Sequence, residues 1–283
     1  MNNLKTVGLL AFMTTLLWLV AVTIFPDGGF MIGLVIAVGF NVLAYFFSDK
    51  LALAASRARP VTEAEQPQVY AIVRRLAEQT RMPMPRIYVI DSPQPNAFAT
   101  GRSPKKAAVA VTAGILELLS FDELEGVLAH ELAHVQNRDI LISSIAAMIA
   151  AALTMLARMA FWFGGGGNRE SPLGAIGALL SLIVAPIAAM LIRLAISRTR
   201  EFQADATGAE TTGRPMVLAS ALEKISVGTA RIPMNVNPAT AQLFIDNPMK
   251  ALRGGGGMMR LLSTHPPTEE RIFRLQKMAQ GIK

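Results

Sequence analysis

Four stretches of the 283-residue chain carry no charged side chain and are nearly solidly apolar: Thr6 to Pro26, Gly28 to Ser48, Ile140 to Ala157 and Ser171 to Ile192. Each is close to the roughly 20 residues that a helix needs to cross a hydrocarbon core of about 30 Å. The pattern therefore predicts four transmembrane helices arranged as two hairpins. The first run follows a single basic residue, Lys5, lacks a small-residue cleavage site and is soon followed by a second span, so it is expected to be a retained helix and not a signal peptide. Arg158, at one end of the third run, can snorkel to the interface.

Between the apolar runs the periodicity changes. Pro67 to Thr80 places Val69, Ile72, Val73 and Leu76 at helical spacing, and Arg86 to Ile90 is a short β-rich run behind Pro83 and Pro85. Asn96 to Gly101 and Ala107 to Thr112, joined by a basic, turn-prone segment, read as a hairpin of a small sheet. Gly114 to Leu119 reads as a short helix. Ser120 and Glu123 then form a capping box that starts a longer helix near Phe121. Further on, Pro215 to Val227 and Glu269 to Ala279 read as helices, whereas the four glycines 254–257 favour no single conformation.

These readings divide the chain into residues 1–48, holding the first two spans, 49–139, a polar segment with a small sheet, 140–196, the second membrane hairpin, and 197–283, a second polar segment. Neither polar segment is complete alone, so the expectation is one α+β domain interrupted by a membrane hairpin, in a mainly α membrane protein. Composition agrees: 52% of residues are hydrophobic, only 17% are charged, and the mean hydropathy is +0.40. The net charge of +7 is dispersed, with Arg57, Arg59, Arg193, Arg198 and Arg200 near membrane boundaries, which fits a lipid bilayer and not nucleic acid. The two short turns, Asp27 to Gly29 and Gly164 to Pro172, are nearly free of basic residues. The positive-inside rule then places both termini and both polar segments in the cytosol.

The absence of cysteine excludes a disulfide scaffold, a thiolate nucleophile and a cysteine-ligated zinc finger. No glycine-rich stretch is followed by the Lys-Ser/Thr of a phosphate-binding loop, so no nucleotide site is expected. The chain holds only three histidines, and two fall in His130-Glu131-Leu132-Ala133-His134. On a helix these imidazoles share one face, one turn apart, and can reach a single Zn2+ while Glu131 stands beside the remaining coordination position. Catalytic zinc commonly has three protein ligands. The third can come from Glu201, in Arg200 to Asp205, or from His265, in Ser263 to Pro267. Glu131 is placed to act as general base on a water acidified by the metal.

In Asn96-Ala97-Phe98-Ala99, Val127 to Asp139, Glu201 to Asp205 and Thr264-His265-Pro266-Pro267, the sequence resembles the HtpX-like membrane metalloproteases, bacterial relatives of the CAAX prenyl proteases, over nearly its whole length. That resemblance implies a zincin-like protease domain in which Glu201 is the third zinc ligand. It further implies that His265 donates a hydrogen bond to the oxyanion and that Asp205 orients a ligating histidine. Asn96, Ala97, Phe98 and Ala99 would form the strand that binds substrate backbone. It implies proteolysis of damaged or misfolded membrane proteins at the cytosolic face of a bacterial inner membrane, with substrates shared with an energy-dependent protease. Gln136, two residues after the second histidine, departs from the wider zinc-protease pattern, where an apolar residue is usual. Two rivals share parts of this reading: a selective protease of prenylated CAAX-type peptides, and a non-catalytic membrane scaffold with structural zinc.

Overall fold

The computed structural model describes residues 2–24, 27–146, 149, 198–231, 245 and 266–282. The fourth predicted span, most of the third, the glycine run 254–257 and His265 lie outside the described residues. The first two runs form helices α1 (Asn2–Ile24) and α2 (Gly29–Ala55). Their turn is made by Gly28, whose φ of 83° is the left-handed conformation that glycine adopts without steric cost. Small residues then line the contact: a β-carbon at Gly29 would sit 2.7 Å from the Ala21 carbonyl oxygen, and one at Gly33 would sit 3.0 Å from the Trp18 α-carbon. This four-residue spacing of glycines lets helix backbones approach closely where no hydrophobic effect drives association. The Asn41 side-chain amide donates to Thr14 Oγ1 at 2.6 Å, and the Trp18 and Phe30 rings meet edge to face.

Among the described residues α2 alone is long and apolar enough to cross a membrane, and α1 contributes a shorter apolar run, Thr6–Leu19. At the start of the third apolar run residues 140–146 are helical, and Ile142, Ile145, Ala146 and Ile149 pack on Leu9 and Met13 of α1.

At 27 residues α2 is about 40 Å long, roughly two turns more than a hydrocarbon core requires. Its last turns carry the sheet. Strands β1 (Arg59–Pro60), β2 (Arg86–Ile90), β3 (Ala97–Thr100) and β4 (Ala108–Thr112) lie in the order β1-β2-β4-β3. The predicted hairpin is present as β3 antiparallel to β4, whereas β2 runs parallel to β4 and β1 was not foreseen. Alternation along the strands separates two cores. Tyr88, Ile90, Phe98, Ala108 and Ala110 face Ala52 and Leu53 of α2. Ile87, Val89, Ala97, Val109 and Val111 face the soluble core, with Val69, Ile72, Val73 and Leu76 of α3 (Pro67–Gln79).

After the short α4 (Ala113–Leu118) comes α5 (Phe121–Gln136), which bears the histidine pair and packs on α6 (Arg198–Thr212) and α7 (Pro215–Arg231). The last helix, α8 (Thr268–Ala279), closes over α6 and α7. Replacing Gly33 with leucine should separate α1 from α2 and cost on the order of 1–3 kcal/mol by overpacking. A clearly lower thermal midpoint in detergent is expected; an unchanged midpoint would show that the two helices do not pack as described.

Candidate metal centre

The helix that carries the site is held firmly at its start. Ser120 and Glu123 form the predicted capping box, and the Glu123 carboxylate also accepts from Ser220 Oγ at 2.7 Å and Lys224 Nζ at 2.8 Å. Burial alone would raise the Glu123 pKa, but Lys224, Ser220 and Ser120 outweigh it and hold it at about 2. One residue pair on, the buried Glu125 carboxylate is clamped between Arg75 and Arg214, fixing α5 to α3 and to the α6–α7 turn. With its axis set this way, α5 presents two imidazoles one turn apart, with ring centroids 4.8 Å apart and planes nearly perpendicular.

Both Nε2 atoms face one carboxylate. His130 Nε2 lies 3.7 Å from Glu201 Oε2, and His134 Nε2 lies 3.4 Å from Glu201 Oε1. One ligand atom from each of these three residues falls within 4.8 Å of the others, and His130 and Glu201 are buried. Donors so spaced can share one ion at the distances of about 2.0–2.2 Å that zinc takes with imidazole and carboxylate. Electrostatics favours a cation in the same place. Burial pulls the His134 pKa down, yet Glu201, Asp139 and Glu131 more than offset this and hold it up at about 9. The carboxylates around His134 attract positive charge at its imidazole, as a proton or as a metal.

Each imidazole is backed by its own aspartate, and each aspartate by an arginine. His130 Nδ1 is 2.9 Å from Asp205 Oδ1. Arg271 of α8, fully buried, grips that aspartate with both prongs, Nε at 2.8 Å and Nη2 at 2.7 Å. Burial disfavours the Asp205 anion, but Arg271 overrides it and keeps the pKa well below the usual carboxylate range. His134 Nδ1 is 3.4 Å from Asp139 Oδ2, and Arg200 Nη1 donates to Asp139 Oδ1 at 3.3 Å. A carboxylate on the far ring nitrogen fixes the tautomer that leaves Nε2 free to ligate.

Glu201 and Asp205 reach this point because α6 lies almost on the backbone of α5. Gly208, two turns beyond Glu201, permits the approach: a β-carbon there would be 2.8 Å from the His130 backbone nitrogen. Glu131, on the same turn as His130 and buried, accepts a hydrogen bond at Oε2 from the Ala99 amide, 2.9 Å away. The Asn96–Thr112 pairing makes Phe98 and Thr100 the residues bonded to β4, so the amides and carbonyls of Ala97 and Ala99 point outward from the sheet, toward the metal centre.

Of the residues singled out from sequence, His130, Glu131, His134, Glu201, Asp205, Ala97 and Ala99 are thus brought together. Phe98 points the other way, into the core against α2, and Asn96 is a structural clasp whose Oδ1 accepts from the Ile245 amide at 3.0 Å. His265 lies outside the described residues; the chain resumes at Pro266 and enters α8, whose Arg271 is in the site. Sequence reasoning missed Arg271 and the roles of Asp139 and Arg200. The signal for Arg271 was an arginine four residues before Leu275, on the buried face of an amphipathic helix.

The chain is similar to known proteins over most of its length. The sequence profile of Peptidase family M48 matches residues 63–279. The chain is 51% identical over 284 residues to a protease HtpX homolog of Thermodesulfovibrio yellowstonii, covering 99% of both proteins. The crystal structure of S. mikatae Ste24p shares the fold, with a TM-score of 0.50 at 21% identity; the match covers 97% of this chain but 64% of that one.

Two measurements test the centre. Asp205→Asn should weaken zinc binding by about 10- to 100-fold in chelator competition, and an unchanged affinity would mean that Asp205 does not orient His130. Because a proton on His134 excludes the metal and the metal-free imidazole titrates near 9, zinc affinity should fall about tenfold for each pH unit below that value. An affinity independent of pH near neutrality would contradict the assignment of His134 as a ligand.

Proposed function

The chain belongs to peptidase family M48, and from that premise we propose a residue-level account of how this membrane zinc metalloprotease cuts its substrates. His130, His134 and Glu201 would hold a zinc ion, which when bound would supply a Lewis acid that polarises the scissile carbonyl and lowers the pKa of water. Glu131 takes the proton from the attacking water and returns one to the leaving amine. The hydrogen bond from the Ala99 amide to Glu131 supports this assignment, because it holds the carboxylate, one residue from His130, against the outward edge of β3.

The outward edge of β3 receives the substrate. An extended peptide can pair with the outward groups of Ala97 and the outward carbonyl of Ala99 by strand addition, while the Ala99 amide stays on Glu131; such pairing binds backbone and selects side chains weakly. His265 donates a hydrogen bond to the oxyanion as it develops. It lies in the chain just ahead of α8, whose Arg271 is anchored beside His130.

Four spans, with both termini and the centre in the cytosol, complete the topology, and residues 49–139 and 197–283 form one protease domain interrupted by the membrane hairpin 140–196. The packing of Ile142, Ile145, Ala146 and Ile149 on Leu9 and Met13 of α1 supports a third helix in the bundle. Broad backbone recognition beside a bilayer suits the removal of damaged or misfolded membrane proteins, alongside an energy-dependent protease. The selective prenyl-peptide reading has less support: the full-length relative at 51% identity is an HtpX homolog, and the likeness to Ste24p is one of fold.

The observation that carries the proposal is the convergence of two imidazoles, Glu201 and the edge-facing Glu131. In detergent-purified protein, Glu131→Gln should retain zinc while losing about 10²- to 10⁴-fold or more in cleavage of an unfolded membrane protein. Retained turnover would remove Glu131 from the chemistry.

A further inference from the structure

The turn between β3 and β4 has no part in the metal centre, yet it carries unusual charge. Arg102, Lys105 and Lys106 fall within residues 101–106, the two lysines exposed, and Lys50 lies in the last turns of α2. Among the described residues none of these four cations is paired with a carboxylate. Two of them lie over aromatic rings of α2: the Arg102 guanidinium is 4.8 Å from the Phe46 centroid, and Lys50 Nζ is 5.1 Å from that of Phe47.

Those rings are not core residues. Tyr45, Phe46 and Phe47 are 39%, 48% and 40% exposed, at the end of a helix whose preceding outer face, Phe30 to Leu43, is apolar and open. Aromatic side chains followed by cations, at the end of an apolar span, are the sequence of layers found at the headgroup level of a membrane. A second contact fixes the depth of the turn independently. Thr100 Oγ1 and Ser144 Oγ share a buried hydrogen bond of 2.8 Å, which ties the base of the turn to the first turns of the third apolar run. The turn therefore sits between the end of one predicted span and the start of another.

We infer that the β3–β4 turn, through Arg102, Lys105, Lys106 and the neighbouring Lys50, is a docking surface for the phosphate headgroups of anionic lipids. The inference rests on the reading of α2 as a membrane span. Unpaired cations above an exposed aromatic belt complement a negatively charged leaflet, and each basic residue near such a surface adds to the attraction. The consequence for the enzyme is positional. β3 runs directly into this turn, so lipid contact at Arg102 steadies one end of the strand whose other residues, Ala97 and Ala99, border the metal centre.

The chain has no cysteine, so Ser103→Cys gives a unique site for an environment-sensitive fluorophore in the otherwise intact protein. Reconstituted in phosphatidylcholine vesicles containing phosphatidylglycerol, the probe should be quenched by a headgroup-labelled lipid. Added salt should weaken the effect, and Arg102→Gln/Lys105→Gln/Lys106→Gln should reduce the preference for phosphatidylglycerol roughly tenfold or more. The same triple variant should cleave an unfolded substrate in pure phosphatidylcholine at the rate of the unaltered protein. A probe that is never quenched, a triple variant that keeps the full preference, or an equal response to dissolved inorganic phosphate would overturn the inference. Alkaline carbonate extraction separates the two levels: protein released from the vesicles overturns the span and the lipid contact together. Protein that stays embedded with an unquenched probe overturns the lipid contact alone.

Discussion

The close contact of α5 with α6 is the constraint on which the rest of the site depends. With no side chain at Gly208, the backbone of α6 comes within van der Waals reach of the His130 amide. One helical turn back on the same face stands Asp205, and a further turn back Glu201, so a single approach delivers one carboxylate to each side of the His130 ring. Removing these charges from water is costly unless each is bonded, and a buried carboxylate left alone would simply take up a proton. Arg271 on Asp205 and Arg200 on Asp139 supply counter-charges, and the Glu201 carboxylate faces both Nε2 atoms.

The second constraint is where this arrangement stands relative to the membrane. α2 does not stop at the length of a hydrocarbon core; its final turns form the floor on which one face of the sheet packs, through Ala52 and Leu53 against Phe98, Ala108 and Ala110. The other face of the same sheet belongs to the core that positions α5. Helix α2, the sheet and helix α5 are thus stacked in three successive layers, with Asp139 and Arg200 at the two ends of the segment that contains the second predicted hairpin. His134 is oriented by a pair whose members both border that segment.

Much of this was legible in the sequence. The capping box at Ser120 and Glu123, the start of α5 at Phe121 and the histidine spacing are local signals, encoded within one or two helical turns. The β3–β4 hairpin was likewise visible as two β-rich runs around a turn. What could not be read were partnerships between distant segments. Glu201 and His265 were equivalent as third ligands on local grounds, and the family resemblance favoured Glu201, which the fold sets opposite both Nε2 atoms. Asp205 could have served either histidine until its 2.9 Å contact with His130 assigned it. Asp139 was given no role, and the importance of Arg271 and Gly208 lies in what they meet more than fifty residues away.

The central claim is that one zinc ion is held by two residues from before the membrane hairpin and one from after it. Anomalous diffraction at the zinc edge from crystals of the zinc-loaded full-length protein tests it most directly. The account predicts a single anomalous peak within bonding distance of His130 Nε2, His134 Nε2 and the Glu201 carboxylate, with Asp205 and Asp139 on the far ring nitrogens. A peak bonded to His265 in place of Glu201, or one held by four protein side chains with no position left for water, would contradict it.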